Sequence, residues 1–152
     1  MSPERRKKEK KEIQEGVVFL LFRDGLVLME RRPPDDKGYP NFLVIPGGKS
    51  ETDETPRETL VREMREELGL EGGFQARFLD SYHFTDFSGR KYFPLAYLIT
   101  DFKGEIHNLK PEKGVHVWLP LEVAMGEARL VASKYVLLIA RDKLNEVRQS
   151  KD

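Results

Sequence analysis

The 152-residue chain has no cysteine. That excludes disulfide staples, thiolate zinc sites and a cysteine nucleophile. The absence is compatible with the cytosol, and a cytoplasmic protein is the expectation. No apolar run reaches the roughly 18 residues of a membrane span. The first residues carry no apolar core of the kind a secretory signal needs. Net charge is also absent: 26 basic residues meet 26 acidic ones. A protein that holds a nucleic-acid backbone usually carries a basic surplus, so a small molecule is the expected partner rather than nucleic acid or membrane. No internal repeat appears, and nothing of low complexity beyond the N-terminus.

The length and the 39% hydrophobic content suit one core. Residues 1–14 form a charged N-terminal extension in which Glu4, Glu9 and Glu12 interrupt the basic run, so it reads as a solvated terminus. Residues 15–152 read as a single domain. Gly16 to Arg23 is a continuous apolar run of β-formers, expected to be a strand buried on both faces. Asp24-Gly25 then joins it to Leu26 to Arg32 as a hairpin. Residues 33–40 are dense in turn formers and make a loop that could rim a pocket. Phe42 to Ile45 is a short strand, stopped by Pro46-Gly47-Gly48.

Thr55 caps a helix. Pro56 suits its first position, Glu58 completes a capping box, and Gly69 ends it. Leu60, Val61, Met64 and Leu68 make its apolar stripe. Residues 74–81 and 82–87 read as one or two strands with a polar break, and further strands are expected over 91–100 and 115–119, with Pro94 marking an edge or a bulge. A helical turn is expected over residues 120–126, and a last helix from Ala132 or Ser133 to Val147. Strands separated by helical segments predict a mixed α/β (α+β) fold with a helix on each side of a sheet.

The first helix carries an unexplained excess of negative charge. Glu63, Glu66 and Glu67 stand at i, i+3 and i+4, on one face. They lie in the C-terminal half, where the helix dipole disfavours anions. Arg62 can reach Glu58 and Glu66, and Arg65 can answer a nearby carboxylate. Glu63 and Glu67 stay adjacent and uncompensated. A hard divalent cation would explain such an oxygen cluster; a solvated acidic face is the alternative. Gly47-Gly48, just upstream, allows close backbone approach and an exposed carbonyl.

Read with its spacing, the stretch Gly48, Glu54, Arg62-Glu63-Met64, Glu66-Glu67 and Gly69-Leu70 resembles the Nudix box at every fixed position. The resemblance implies the Nudix α/β/α sandwich with a central mixed sheet. It implies hydrolysis of a nucleoside diphosphate linked to another moiety, with Mg2+ or Mn2+. Glu63, Glu66 and Glu67 would be metal ligands, with a main-chain carbonyl of Gly47 or Gly48. Arg62 and Glu54 would pair and hold the loop against the helix. The general base would be Glu66 or a carboxylate from a later loop, Glu112 first and Glu105 behind it. Asp53 and Ser50 depart from the common pattern, which often has glycine and an aliphatic residue at these positions.

The short chain is similar to MutT-type enzymes that cleave a nucleoside triphosphate, in some cases an oxidised one, to the monophosphate and pyrophosphate. ADP-ribose, nucleotide sugars or dinucleoside polyphosphates are the rival substrates, and a nucleotide-sensing module without catalysis is the rival class. Arg31, Tyr39, Phe42, Tyr82 and Phe84 are the candidate substrate-binding residues, with His83 a weaker one. Homodimerisation is left open.

Overall fold

A computed structural model describes residues 13–151 of the protein. The charged run over residues 1–12 lies outside the described residues. The central strand is β1 (Ile13–Arg23), which begins three residues before the apolar run. It pairs in parallel with β7 (Lys91–Thr100) along one side. On its other side it pairs antiparallel with β4 (Gly47–Lys49) near its start and with β2 (Leu26–Arg31) at its end. β2 also pairs with β3 (Leu43–Val44) and β8 (Val115–Pro120), while β7 pairs with β5 (Gln75–Ser81) and β6 (Phe84–Thr85). The result is a mixed sheet of eight strands.

Alternation along β1 sends Val17, Phe19 and Leu21 to one face and Leu20 to the other, all buried. Helix α1 (Pro56–Leu68) covers the first face with Leu60, Met64 and Leu68. Helices α2 (Leu121–Glu127) and α3 (Val131–Lys151) cover the second, where Ala124, Val136, Leu137 and Ala140 meet Leu20, Val27, Met29 and Leu98. The expected sandwich, and a first strand buried on both faces, are therefore present. Among the described residues no helix is long and apolar enough to cross a membrane.

Two expectations change. Gly47-Gly48 does not merely stop the preceding strand but runs extended as β4, with Val18 opposite Gly47 and Val17 opposite Gly48. A side chain at Gly47 would fall 2.4 Å from the Val17 carbonyl oxygen, so the pairing itself requires glycine. Pro94 lies in an interior strand rather than at an edge. It stands where the partner of β7 changes from β5 to β6, and the bulge is in β5, between Phe78 and Asp80. At that break the missing proline N–H costs no ladder bond, while the Pro94 carbonyl accepts from the Tyr82 amide at 3.3 Å.

Candidate metal and nucleotide site

Helix α1 starts as its sequence dictates. The Glu58 amide donates to the Thr55 hydroxyl at 3.2 Å, and the Glu58 carboxylate accepts from the Thr55 amide at 3.1 Å. Asp53, just before it, has φ 63°, which explains why glycine is common at this position. Ser50 also finds a use, accepting from the buried Thr59 hydroxyl at 2.9 Å. The helix ends at Gly69 with φ 71°. Its last carbonyls would be orphaned, but the loop after β7 closes over them. The His107 amide donates to the Leu68 oxygen at 3.0 Å and the Leu109 amide to the Glu67 oxygen at 2.9 Å.

Arg62 is the hub of the box. Its guanidinium donates twice to Glu54, and also to the Lys49 carbonyl at 2.9 Å, to Glu63 at 2.8 Å and to Glu66 at 3.2 Å. It does not serve Glu58, which is spent on the cap. The Arg62 guanidinium holds Glu54 down to about 2, aided by the Glu51 amide. The same partners raise Arg62.

Glu63 and Glu67 are buried, whereas the Glu66 side chain is 41% exposed. The Glu63 carboxyl lies flat against Gly48, where an added Cβ would fall 2.1 Å from its Cδ. Burial pushes the Glu67 carboxyl above its ordinary range, against the pull of Lys113, and Glu63 and Glu30 push it further up. The Lys113 ammonium donates to the Gly47 carbonyl at 3.0 Å and to the Glu67 carboxylate. Among the described residues no three acidic or histidine side chains stand assembled as a metal cluster. Glu66 instead turns to Arg62 and lies 3.9 Å from Lys110.

Beside these groups lies a cavity of about 340 Å³, lined in part by Gly47, Gly48, Glu30, Arg32 and Lys113. Of the residues expected to bind substrate, Tyr39, Tyr82 and Phe84 line it, as does Tyr92. Tyr39 packs edge-on to Phe87 with ring centroids 5.7 Å apart. Burial pushes the Tyr82 hydroxyl up to about 12. Arg31 and Phe42 do not line the cavity. Arg31 donates to the Asn41 carbonyl and pairs with Glu127, while Phe42 lies under Arg129. Strand alternation is the reason: Glu30 and Arg32 share the opposite face from Arg31. His83 packs at a tilt against Phe93, with ring centroids 4.7 Å apart, and is absent from the lining. Glu112, in a short turn over Pro111–Lys113, and Glu105 are exposed and stand outside the cavity.

Sequence reasoning missed Glu30, Arg32 and Lys113. Glu30 is 5% exposed and accepts from Arg32 at 3.1 Å, and Arg32 also donates to Asp36 at 2.7 Å. A carboxylate directly following the apolar run Leu26 to Met29 was the available signal for Glu30.

The donor set is wholly oxygen: Gly47 carbonyl, Glu63, Glu67 and the reachable Glu66. That chemistry fits a hard divalent cation. The Gly47–Glu67 pair already accepts a positive group, since the Lys113 ammonium sits between them.

Residues 12–139 match the family model of the NUDIX domain. The CTP pyrophosphohydrolase of Escherichia coli (strain K12) is 37% identical over 113 residues, covering 73% of this chain and 78% of that protein. The 8-oxo-dGTP diphosphatase of Proteus vulgaris is 33% identical over 102 residues, covering 67% and 88%. Among solved structures, the E. coli ORF135 protein superposes with a TM-score of 0.69 at 31% identity, covering 86% of this chain and 89% of that one. The MutT NUDIX hydrolase from Burkholderia pseudomallei gives 0.67 at 25% identity, covering 82% and 95%. With its box folded as a capped helix against a glycine strand, this chain belongs to the Nudix hydrolase family.

Proposed function

We propose that residues 15–152 form one catalytic domain that hydrolyses nucleoside triphosphates, oxidised ones included, to the monophosphate and pyrophosphate. The observation that carries this reading is the placement of Glu63, Glu67 and the Gly47 carbonyl beside a cavity walled by Tyr39, Phe84 and Tyr92. Rings of this kind suit the faces of a base, and the carboxylates suit the cations that accompany a polyphosphate. The two curated relatives, named for CTP and 8-oxo-dGTP, support a nucleoside triphosphate over a nucleotide sugar.

Mg2+ or Mn2+, held by Glu63, Glu66, Glu67 and the Gly47 carbonyl, would neutralise phosphate charge and acidify an attacking water. The rest of the chemistry falls to the chain. Water attacks one phosphorus of the α–β bridge, the bridging P–O bond breaks, and the leaving phosphate oxygen takes the electron pair. Glu66, the exposed carboxylate of the three, accepts the proton of that water. Arg62 keeps Glu63 and Glu66 aligned, and Glu54 keeps Arg62 in place. Arg32 and Lys113 supply positive charge along the cavity wall.

The test is a panel of nucleoside triphosphates, oxidised nucleotides, ADP-ribose, nucleotide sugars and dinucleoside polyphosphates, with wild type and Glu66→Gln side by side. Turnover highest on a triphosphate, and lost in the variant, supports the reading. Binding without turnover on any compound would favour a nucleotide sensor, and preferred cleavage of ADP-ribose would move the substrate class.

A further inference from the structure

Three carboxylates are buried around the cavity, and each has its own cation. Glu63 has Arg62, Glu30 has Arg32 and Glu67 has Lys113. A buried carboxylate without a counter-charge costs several kcal/mol, so none of the three can be left alone. The cations are not equivalent. Arg62 and Arg32 are each held by further partners: Glu54 and the Lys49 carbonyl for one, Asp36 for the other. Their planar forks are locked by several bonds at once. Lys113 has one carboxylate and one carbonyl, a flexible stem, and a side chain that is 30% exposed.

Its anchoring is in the backbone rather than the side chain. Asn108 donates to the Gly114 carbonyl at 2.8 Å, and the Lys113 amide donates to the Lys110 carbonyl at 3.0 Å. Gly114 lets this segment lie on the end of β2, since a Cβ there would fall 2.4 Å from the Arg31 carbonyl oxygen. The main chain is therefore fixed at the end of β2, while the ammonium is held by two hydrogen bonds. It already borders the cavity.

We propose that Lys113 is a displaceable internal cation. Its ammonium bridges the Gly47 carbonyl and the Glu67 carboxylate, two oxygens of the set that would hold a metal ion. On metal binding it yields that position and turns into the cavity, where it meets the anionic phosphates of the substrate. The Gly47–Glu67 pair is thus kept together at the cost of weaker metal affinity, and the released charge serves binding. This rests on the metal-dependent reading above.

The test uses nucleotide-free protein. Calorimetric titration with Mn2+ is made on wild type, Lys113→Met and Lys110→Met, the last removing the same charge near Glu66 but outside the Gly47–Glu67 pair. In parallel, wild-type lysines are labelled by reductive methylation with and without Mg2+, and the peptides mapped by mass spectrometry. Lys113→Met should bind Mn2+ about tenfold more tightly, a shift of about 1.4 kcal/mol, and Lys110→Met by about twofold or less. Labelling of Lys113 should rise severalfold with Mg2+ while that of Lys110 stays level. Equal gains in the two variants, or Lys113 labelling indifferent to Mg2+, would overturn the proposal and leave the metal site standing. Absence of saturable metal binding in all three proteins would overturn the metal-dependent reading and this proposal together. The labelling arm needs no variant, so a misfolded Lys113→Met does not blunt the test.

Discussion

Arg62 grips Glu54 through two parallel hydrogen bonds, Nε to Oε2 at 2.7 Å and Nη2 to Oε1 at 2.9 Å. The same guanidinium reaches Glu63, Glu66 and the Lys49 carbonyl, so one side chain aligns the loop, the glycine strand and the acidic face. Lysine offers a point charge in place of this fork. Arg62→Lys should lower kcat by about 10- to 100-fold, the usual effect of losing an orienting partner around a metal site. KM should change little. Steady-state kinetics with saturating Mg2+ would check this, and an unchanged kcat would show that alignment does not depend on the fork.

Glu54 also carries a pH signature. Its folded value, about 2, lies below the ordinary 4.5. A lowered carboxyl contributes stability that is fully present above the ordinary value and is lost as pH falls through the folded one. The difference in melting temperature between wild type and Glu54→Gln should be constant from pH 8 to 6 and shrink between 4.5 and 2. A gap that widened on acidification would contradict the assignment of the shift to the Arg62 pair.

The two glycines of β4 should fail in different ways. At Gly48 a methyl group would displace the Glu63 carboxyl, so Gly48→Ala should keep its fold and bind metal about 10- to 100-fold more weakly. At Gly47 the clash is with the backbone of Val17, so Gly47→Ala should cost about 1–3 kcal/mol of stability. Denaturant unfolding and metal titration on both variants separate the outcomes.

Adjacent arginines give a similar contrast. Arg31 pairs with Glu127 at the surface, so Arg31→Ala should leave KM within about twofold and cost at most about 1 kcal/mol. Arg32 lines the cavity and neutralises Glu30. Arg32→Gln should raise KM about tenfold and lower stability by about 3–5 kcal/mol, because it strands a buried carboxylate.

The last two pairs of residues show what the sequence could and could not disclose. Helix α1 was legible because its signals are local: cap, capping box, stripe and terminal glycine lie within one segment. Its surplus charge was legible for the same reason. The strand at Gly47-Gly48 was not, since the need for glycine there comes from Val17, far upstream. The exchange of Arg31 for Arg32 is a matter of phase, because one residue along a strand reverses the face. Lys113 lies 46 residues from Glu67 and 66 from Gly47, and no local pattern joins such partners. Of the cavity's aromatic wall, Tyr39, Tyr82 and Phe84 were substrate-binding candidates from the sequence, whereas Tyr92, brought in by β7, was not.

The most direct measurement is phosphorus NMR of a nucleoside triphosphate incubated with Mg2+ and either wild type or Glu67→Gln. Wild type should yield the monophosphate and pyrophosphate in equal amounts. Glu67→Gln should lower the rate by about 100-fold or more, as loss of a carboxylate that would hold the metal does. Release of orthophosphate and a nucleoside diphosphate, or full activity in the variant, would contradict the account.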